Sequence, residues 1–424
     1  MRKETFSYLA IGVFTVFVLT GISYFTVCAA PAPTPTTEVL KIGGMFTLNN
    51  PWGVESQKCH TLLFDNLNAK GGIEVQGRKY RVQFISYDDK YTLDGGRAAA
   101  ERLIYQDGVK FIIGPFASSA IIGAIPTCEK EKVLFINNSA SDECFSPNYN
   151  YALRTQQAKA AQTSGWAWVM KKHPDVKTFV FLGGDTPFGR SFAKDANRCC
   201  QAYGVKSLGE LYYPPLTTDF TDVATKIASL NPDYIYHAGD AGTRLGLIMK
   251  SLYDAGWHKI FAMGAGPIFG EIKSVSTPQA MEGLIFTSHN PAVFPEGELK
   301  RTPEFEELRK LYEAKYGGPW DGVGGQWLNA YYAFLAAIKK ANSFDSTTVA
   351  KVLMAEQITF RCPRGEARTI QRPDLGINKY ADTMGGVDIG VVKNMAGAYA
   401  GEVTYEDALA SVEKVFGFKG QWVK

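Results

Sequence analysis

From Val39 onward, short apolar strand signals alternate with helical ones, which limits the chain to parallel sheets covered by helices on both faces. VLKIGGMF (39–46) has a strand pattern, and GVESQKCHTLLFDNLNAKGG (53–72) a helix closed by a glycine stop. RKYRVQFISYDD (78–89) alternates as a strand and LDGGRAAAERLIYQD (93–107) is helical. VKFIIG (109–114), a helix near 118–131 and VLFIN (133–137) complete the first series. A second series begins after YALRT (151–155), with strands at 177–182, 207–213, 233–237 and 259–263. Helices fit between them at 157–172, 188–203, 219–230 and 241–255. The expected class is therefore α/β, with two doubly wound, Rossmann-like units. Two strong helices follow at 302–318 and 325–342, then a hairpin in 358–374 turning at Arg364-Gly365 and a final helix at 404–415.

At 424 residues the chain is long enough for two domains with their own cores. A net charge of +3 without a basic stripe implies no nucleic-acid partner. Arg2 and Lys3 precede an apolar run at 9–27 and then small residues, the pattern of an export signal. Cleavage after Ala29 makes 1–29 a signal peptide; retention makes 9–27 a membrane anchor, and both stay open. Residues 30–38, PAPTPTTE preceded by Ala30, read as an extended Pro/Thr tether. The expected location is periplasmic or otherwise extracytoplasmic, where disulfides persist, and Cys128 with Cys144, flanking one strand, is the best-placed pair. There is no C-x-x-C and the five histidines are scattered, so neither metal nor cofactor is expected.

Ligands of open α/β sheets bind beyond the carboxyl ends of the strands. The exits here are TLNNPWG (47–53), GPFASSA (114–120), NNSASDE (137–143), GGDTPFG (183–189), AGDAG (238–242) and GAGPIFG (264–270). They offer hydroxyls, small residues and aromatics, and few charges. Ser118-Ser119 at a helix start invites three readings. A nucleophile needs a base, but no histidine sits at a first-unit strand exit and G-x-S-x-G is missing. A helix N-cap needs no ligand at all. Anion capture uses the unpaired amides of the helix start together with the hydroxyls. Ser139-Ala140-Ser141 at the next exit supplies a second set facing the same cleft. Trp52 and Phe188, each before a glycine, can be ligand walls or loop packing, and Asp240 can pair an ammonium or face water. Neither G-x-G-x-x-G nor a Walker pattern occurs.

NAKGGIEVQGRKYRVQFISYDD (68–89), GVKFIIGPFASSA (108–120) and DTPFGRSFAKD (185–195) carry a resemblance. From about Val39 to Lys393 the chain resembles type I periplasmic binding proteins of the branched-chain amino-acid family, the receptors of ABC importers. The resemblance implies two lobes, 39–154 plus 290–357 and 155–289 plus 358–424, joined by a three-crossing hinge near 151–157, 284–291 and 355–360. It implies that Ser118, Ser119, Ser139, Ala140 and Ser141 hold a carboxylate and that Trp52 and Phe188 are aromatic lids. The family's leucine-type members place a glutamate after the last second-lobe strand to pair the α-ammonium. MGAGPIFG (263–270) has none before Glu271, so Asp240 replaces it or the ligand lacks an amine; Asp185 and Asp142 are weaker substitutes. The implied function is non-catalytic, namely capture of a small carboxylate-bearing solute, an amino acid foremost, by a monomer that hands it to a membrane permease. The alternatives are an anchored ligand-sensing module, a receptor for aromatic or organic acids or amides, and, least favoured, an enzyme.

Overall fold

A computed structural model describes residues 38–417 except 156, 157, 289, 300, 319, 321, 323 and 324. The signal or anchor at 1–29 and all of the tether but Glu38 lie outside the described residues, within which no helix is long and apolar enough to cross a membrane.

The first sheet contains β1 (Glu38–Phe46), β2 (Ile73–Val75), β3 (Arg78–Asp88), β4 (Phe111–Ile113), β5 (Leu134–Asn137) and β6 (Ala152–Arg154). Its order is β2-β3-β1-β4-β5-β6, parallel except where β2 turns back on β3. Strand alternation divides the apolar residues between two cores. Ile42, Phe111, Ile113, Leu134 and Ile136 face one side, and Met45, Ile112 and Phe135 the other. The first of these cores is completed from far along the chain, by Phe305, Leu308, Phe334 and Leu353 of helices Pro303–Tyr316, Asn329–Ala341 and Ser346–Ala355.

The second sheet is built on β7 (Thr178–Gly184), β8 (Lys206–Tyr213), β9 (Tyr234–Ala238), β10 (Ile260–Met263) and β11 (Ile285–Ser288). A small antiparallel sheet follows, of β12 (Thr359–Cys362), β13 (Gly365–Arg372) and β14 (Ile377–Gly385). Then β15 (Val387–Lys393) and β16 (Ala396–Val403) join the second sheet, whose order is β16-β15-β11-β10-β9-β7-β8 with β15 antiparallel to both neighbours. Helix Tyr405–Phe416 closes this half by packing Ala408 and Val412 with Trp166 and Phe179.

The chain passes between the two halves after β6, after β11 and after helix Ser346–Ala355. The small sheet touches both: Phe360 and Ala367 pack on Ala333 of the first half, while Ile370 and Met384 enter the core of the second.

The pairing of Cys128 with Cys144 does not form. Cys128 and Cys144 are both buried free thiols, and Cys144 Sγ instead accepts from Ser139 Oγ at 2.9 Å. The sequence reading also omitted β2, β6, helix Ser346–Ala355, β14 and β16. β2 and β6 have three residues each, too few to show a period, and β2 ends at Gln76-Gly77, both at positive φ, a tight hairpin turn.

Candidate functional site

The strand exits of both sheets converge on one cavity of about 780 Å³, open solvent at its mouth included. Of the residues singled out from sequence, Trp52, Ser118, Ala140, Phe188 and Asp240 line it. Ser119, Ser139 and Ser141 are not in its wall.

Trp52 and Phe188 are positioned by the same device in the two halves. Each lies in the first turn of a helix with a proline start, Pro51–Ala69 or Pro187–Ala202, and each precedes a glycine. A Cβ on Gly53 would overlap the Thr47 carbonyl oxygen, and one on Gly189 that of Gly184. Only glycine lets the helix start fold back onto its strand exit and aim the aromatic ring across the opening.

Helix Ser118–Lys130 starts at Ser118, and its N-cap is Ala117, which makes no side-chain cap bond. The serine is therefore free of capping duty, and the amides of the first turn lack intrahelical acceptors. Ser118 Oγ, almost fully buried, is 3.2 Å from Ser139 Oγ. Ser139 in turn accepts from Ser141 N–H at 3.0 Å, and Ser141 Oγ accepts from Glu143 N–H at 3.2 Å. Thus Ser139 and Ser141 shape the loop after β5 and orient Ser118. Asn138 from that loop lines the cavity and donates to the Trp327 carbonyl at 3.1 Å.

Trp327, unforeseen from sequence, comes from the returning segment before helix Asn329–Ala341. Its ring lies 5.4 Å from that of Trp52 and stacks on Phe116 at 4.7 Å, making an aromatic wall on the Ser118 side. Phe188 and Phe192, 4.2 Å apart, form the opposing apolar surface with Met263. Phe116, Asn138 and His237 all sit in or beside the strand exits named from sequence; Trp327 and Tyr91 carried no such signal.

The polar end of the second wall is a cluster. Tyr213 donates to Asp240 Oδ2, Arg244 pairs with the same carboxylate at 3.4 Å, and the Tyr213 oxygen lies 2.9 Å from His237 Nε2. Burial pushes His237 down to about 4, with Asp240 opposing and Arg244 assisting. Tyr91, partly exposed, lines the cavity from the first half. Asp240, singled out as a partner for an ammonium, thus already holds an arginine and a phenol. Glu271 is engaged elsewhere, accepting from Thr243 N–H at 3.1 Å at the start of helix Thr243–Asp254. Among the described residues no group of histidines, cysteines and carboxylates is arranged to hold a metal.

This arrangement of two doubly wound lobes around a ligand-sized cleft defines a solute-binding protein. The periplasmic binding protein family profile matches residues 42–379, and the chain belongs to that family, which is one of binding proteins and not of enzymes. A leucine-, isoleucine-, valine-, threonine- and alanine-binding protein of Pseudomonas aeruginosa is 25% identical over 76% of this chain and 82% of its own length. The Leu/Ile/Val-binding protein of Escherichia coli is 24% identical over 69% of this chain and 76% of its own. Among solved structures, LivJ of Streptococcus pneumoniae with isoleucine has a TM-score of 0.68 and 18% identity over 87% of this chain and all of its own. A solute-binding protein of Rhodopseudomonas palustris with benzoate has a TM-score of 0.65 and 17% identity over 87% of this chain and 97% of its own. Both show the type I periplasmic binding protein fold.

Proposed function

We propose that the protein is the extracytoplasmic receptor of an ABC importer, which captures a small carboxylate-bearing solute between its lobes and delivers it to a membrane permease. The observation carrying this reading is Ser118: a buried hydroxyl at an uncapped helix start, beside the aromatic wall of the cavity. Amides of that first turn and the hydroxyl together suit one carboxylate, each charge-assisted bond contributing roughly 1.5–3 kcal/mol. Trp52, Trp327 and Phe188 suit an apolar body of the size of a branched or aromatic side chain. The relatives named for branched-chain amino acids and the neighbour holding benzoate support the same ligand range.

The lobes would be 39–154 plus 290–357 and 155–289 plus 358–424, with the antiparallel sheet β12–β14 bridging them, and closure a population shift driven by preferential binding to the shut form. Ser119, Ser139, Ala140 and Ser141 would act with Ser118, through loop shape and backbone amides. Export by cleavage after Ala29 leaves a monomer free to diffuse to its permease.

A second reading, a receptor for acids lacking an amine, is favoured by one observation: Asp240 already pairs with Arg244 and Tyr213. A thermal-shift screen of the mature protein tests both, with leucine, 4-methylpentanoate, phenylalanine, benzoate and short amides. Ligand at 100 times its dissociation constant adds about 2.7 kcal/mol of stability. Stabilisation by carboxylates and not by the amides supports the proposal, and indifference to every carboxylate overturns it. N-terminal sequencing of exported protein separates the importer receptor, starting at Ala30, from an anchored sensing module.

A further inference from the structure

The cluster on the second wall contains a proton count that the capture of a carboxylate does not use. A phenol has one proton, and Tyr213 gives it to Asp240, since an ionised carboxylate only accepts. The Arg244 guanidinium lies 3.4 Å from the same carboxylate oxygen. The Tyr213 oxygen must then be the acceptor in its 2.9 Å contact with His237, so the imidazole carries its proton on Nε2. Burial holds the ring neutral at ordinary pH, and a neutral ring has one N–H. Nδ1 is left as a bare lone pair. It has no hydrogen-bond partner in the structure, although His237 is fully buried and lines the cavity. A buried acceptor without a partner is costly, and a ligand that satisfies it regains that cost.

The electrostatics restrict what the partner can be. Asp240 is the one carboxylate among the described residues lining the cavity, and its charge is balanced by Arg244. An ammonium placed there would add an uncompensated positive charge beside a guanidinium. An uncharged donor would not.

Resting on the carboxylate reading above, we propose that His237 Nδ1 is a ligand-recognition acceptor, held in that role by the Tyr213–Asp240–Arg244 relay. It selects solutes that carry a neutral O–H or N–H donor where an amino acid carries its ammonium. The solute class is thus hydroxy acids and amide-bearing acids rather than free amino acids.

Two measurements on the mature protein test this. Long-range proton–nitrogen NMR of histidine-labelled protein at pH 7, with His237 assigned by its disappearance in His237→Gln, reads the tautomer without any ligand. The expected spectrum has the proton on Nε2, and a proton on Nδ1 overturns the proposal. Titration calorimetry then compares 4-methylpentanoate, 2-hydroxy-4-methylpentanoate and leucine, and benzoate with 4-hydroxybenzoate. In at least one hydroxylated pair the hydroxyl should tighten binding about tenfold. That gain should vanish in His237→Gln, whose amide can still donate toward Tyr213 but has no acceptor at the Nδ1 position. Leucine binding tighter than its hydroxy analogue, no hydroxyl gain in either pair, or a gain that survives His237→Gln each overturns it. Should no carboxylate bind the wild type, the receptor reading fails, and the tautomer still decides whether the acceptor exists.

Discussion

Two charge clusters in this molecule are made of similar groups and differ in burial and in how completely they are satisfied. Where the chain passes between the lobes, Arg154 is bidentate on Asp382, and Arg372 bridges Asp382 at 3.0 Å and Asp142 at 3.1 Å. Both guanidinium groups lie over Phe145, and Arg154, Arg372 and Asp382 are almost fully buried. On the cleft wall, Asp240, Arg244, Tyr213 and His237 also interlock, yet His237 Nδ1 and Arg244 Nε are without partners. The first cluster joins β6 to the small antiparallel sheet, and each of its charged groups is paired. The second leaves an unpaired atom, His237 Nδ1, on a residue of the cavity wall. A closed network holds elements together, and the open one contains the acceptor proposed above.

The largest effect that would break this comparison is on stability. Arg154→Met leaves buried carboxylate charge exposed to its neighbours and should cost about 3–5 kcal/mol, read by chemical denaturation. A loss below about 1 kcal/mol would show that the crossing cluster is no more structural than the cleft one.

Next is acid sensitivity. Burial holds His60 and His237 at about 4, below their ordinary 6.5. For a depressed pKa the stabilising contribution is present above 6.5 and is lost as pH falls through about 4. Each shift corresponds to roughly 3 kcal/mol. Asp89 has the opposite sign: burial pushes it up to about 6, against bonds from Thr47 and Tyr91 N–H, so its contribution fades as pH rises through that value. Denaturation of wild type, His60→Gln and Asp89→Asn across pH 4–8 should therefore show a shallower acid slope in the first variant and a gain near neutrality in the second.

Ser118→Ala should weaken carboxylate binding by roughly 1.5–3 kcal/mol while leaving the melting temperature of the empty protein nearly unchanged. Equal loss of both would make the serine a structural residue like Ser139. The smallest effect is expected from Trp52→Phe, which keeps an aromatic wall. Affinity for short-chain acids should fall by about 1 kcal/mol or less, whereas Trp52→Ala would lose more of the apolar contact.

Alternation of strand and helix patterns made both doubly wound units legible, because backbone periodicity is a local property. The exit loops were legible for the same reason: a parallel sheet puts its strand ends on one side, so Trp52, Ser118, Ala140, Phe188 and Asp240 could be named before any contact was known. Local pattern could not say which serine faces the cavity. Ser118 and Ser139 look alike in sequence, and only packing makes one a wall and the other its support. Trp327 lies about two hundred residues beyond the loops it completes, and Asp382 reaches Arg154 from a hairpin with no functional signature. Whether Asp240 is free for an amine, and which nitrogen of His237 carries the proton, depends on side chains from separate elements meeting in low dielectric. Sequence by itself determined the class of fold and the edge of the sheet where the cavity lies. Tertiary structure alone decided the state of charge and hydrogen bonding there, because those are set by neighbours in space and not along the chain.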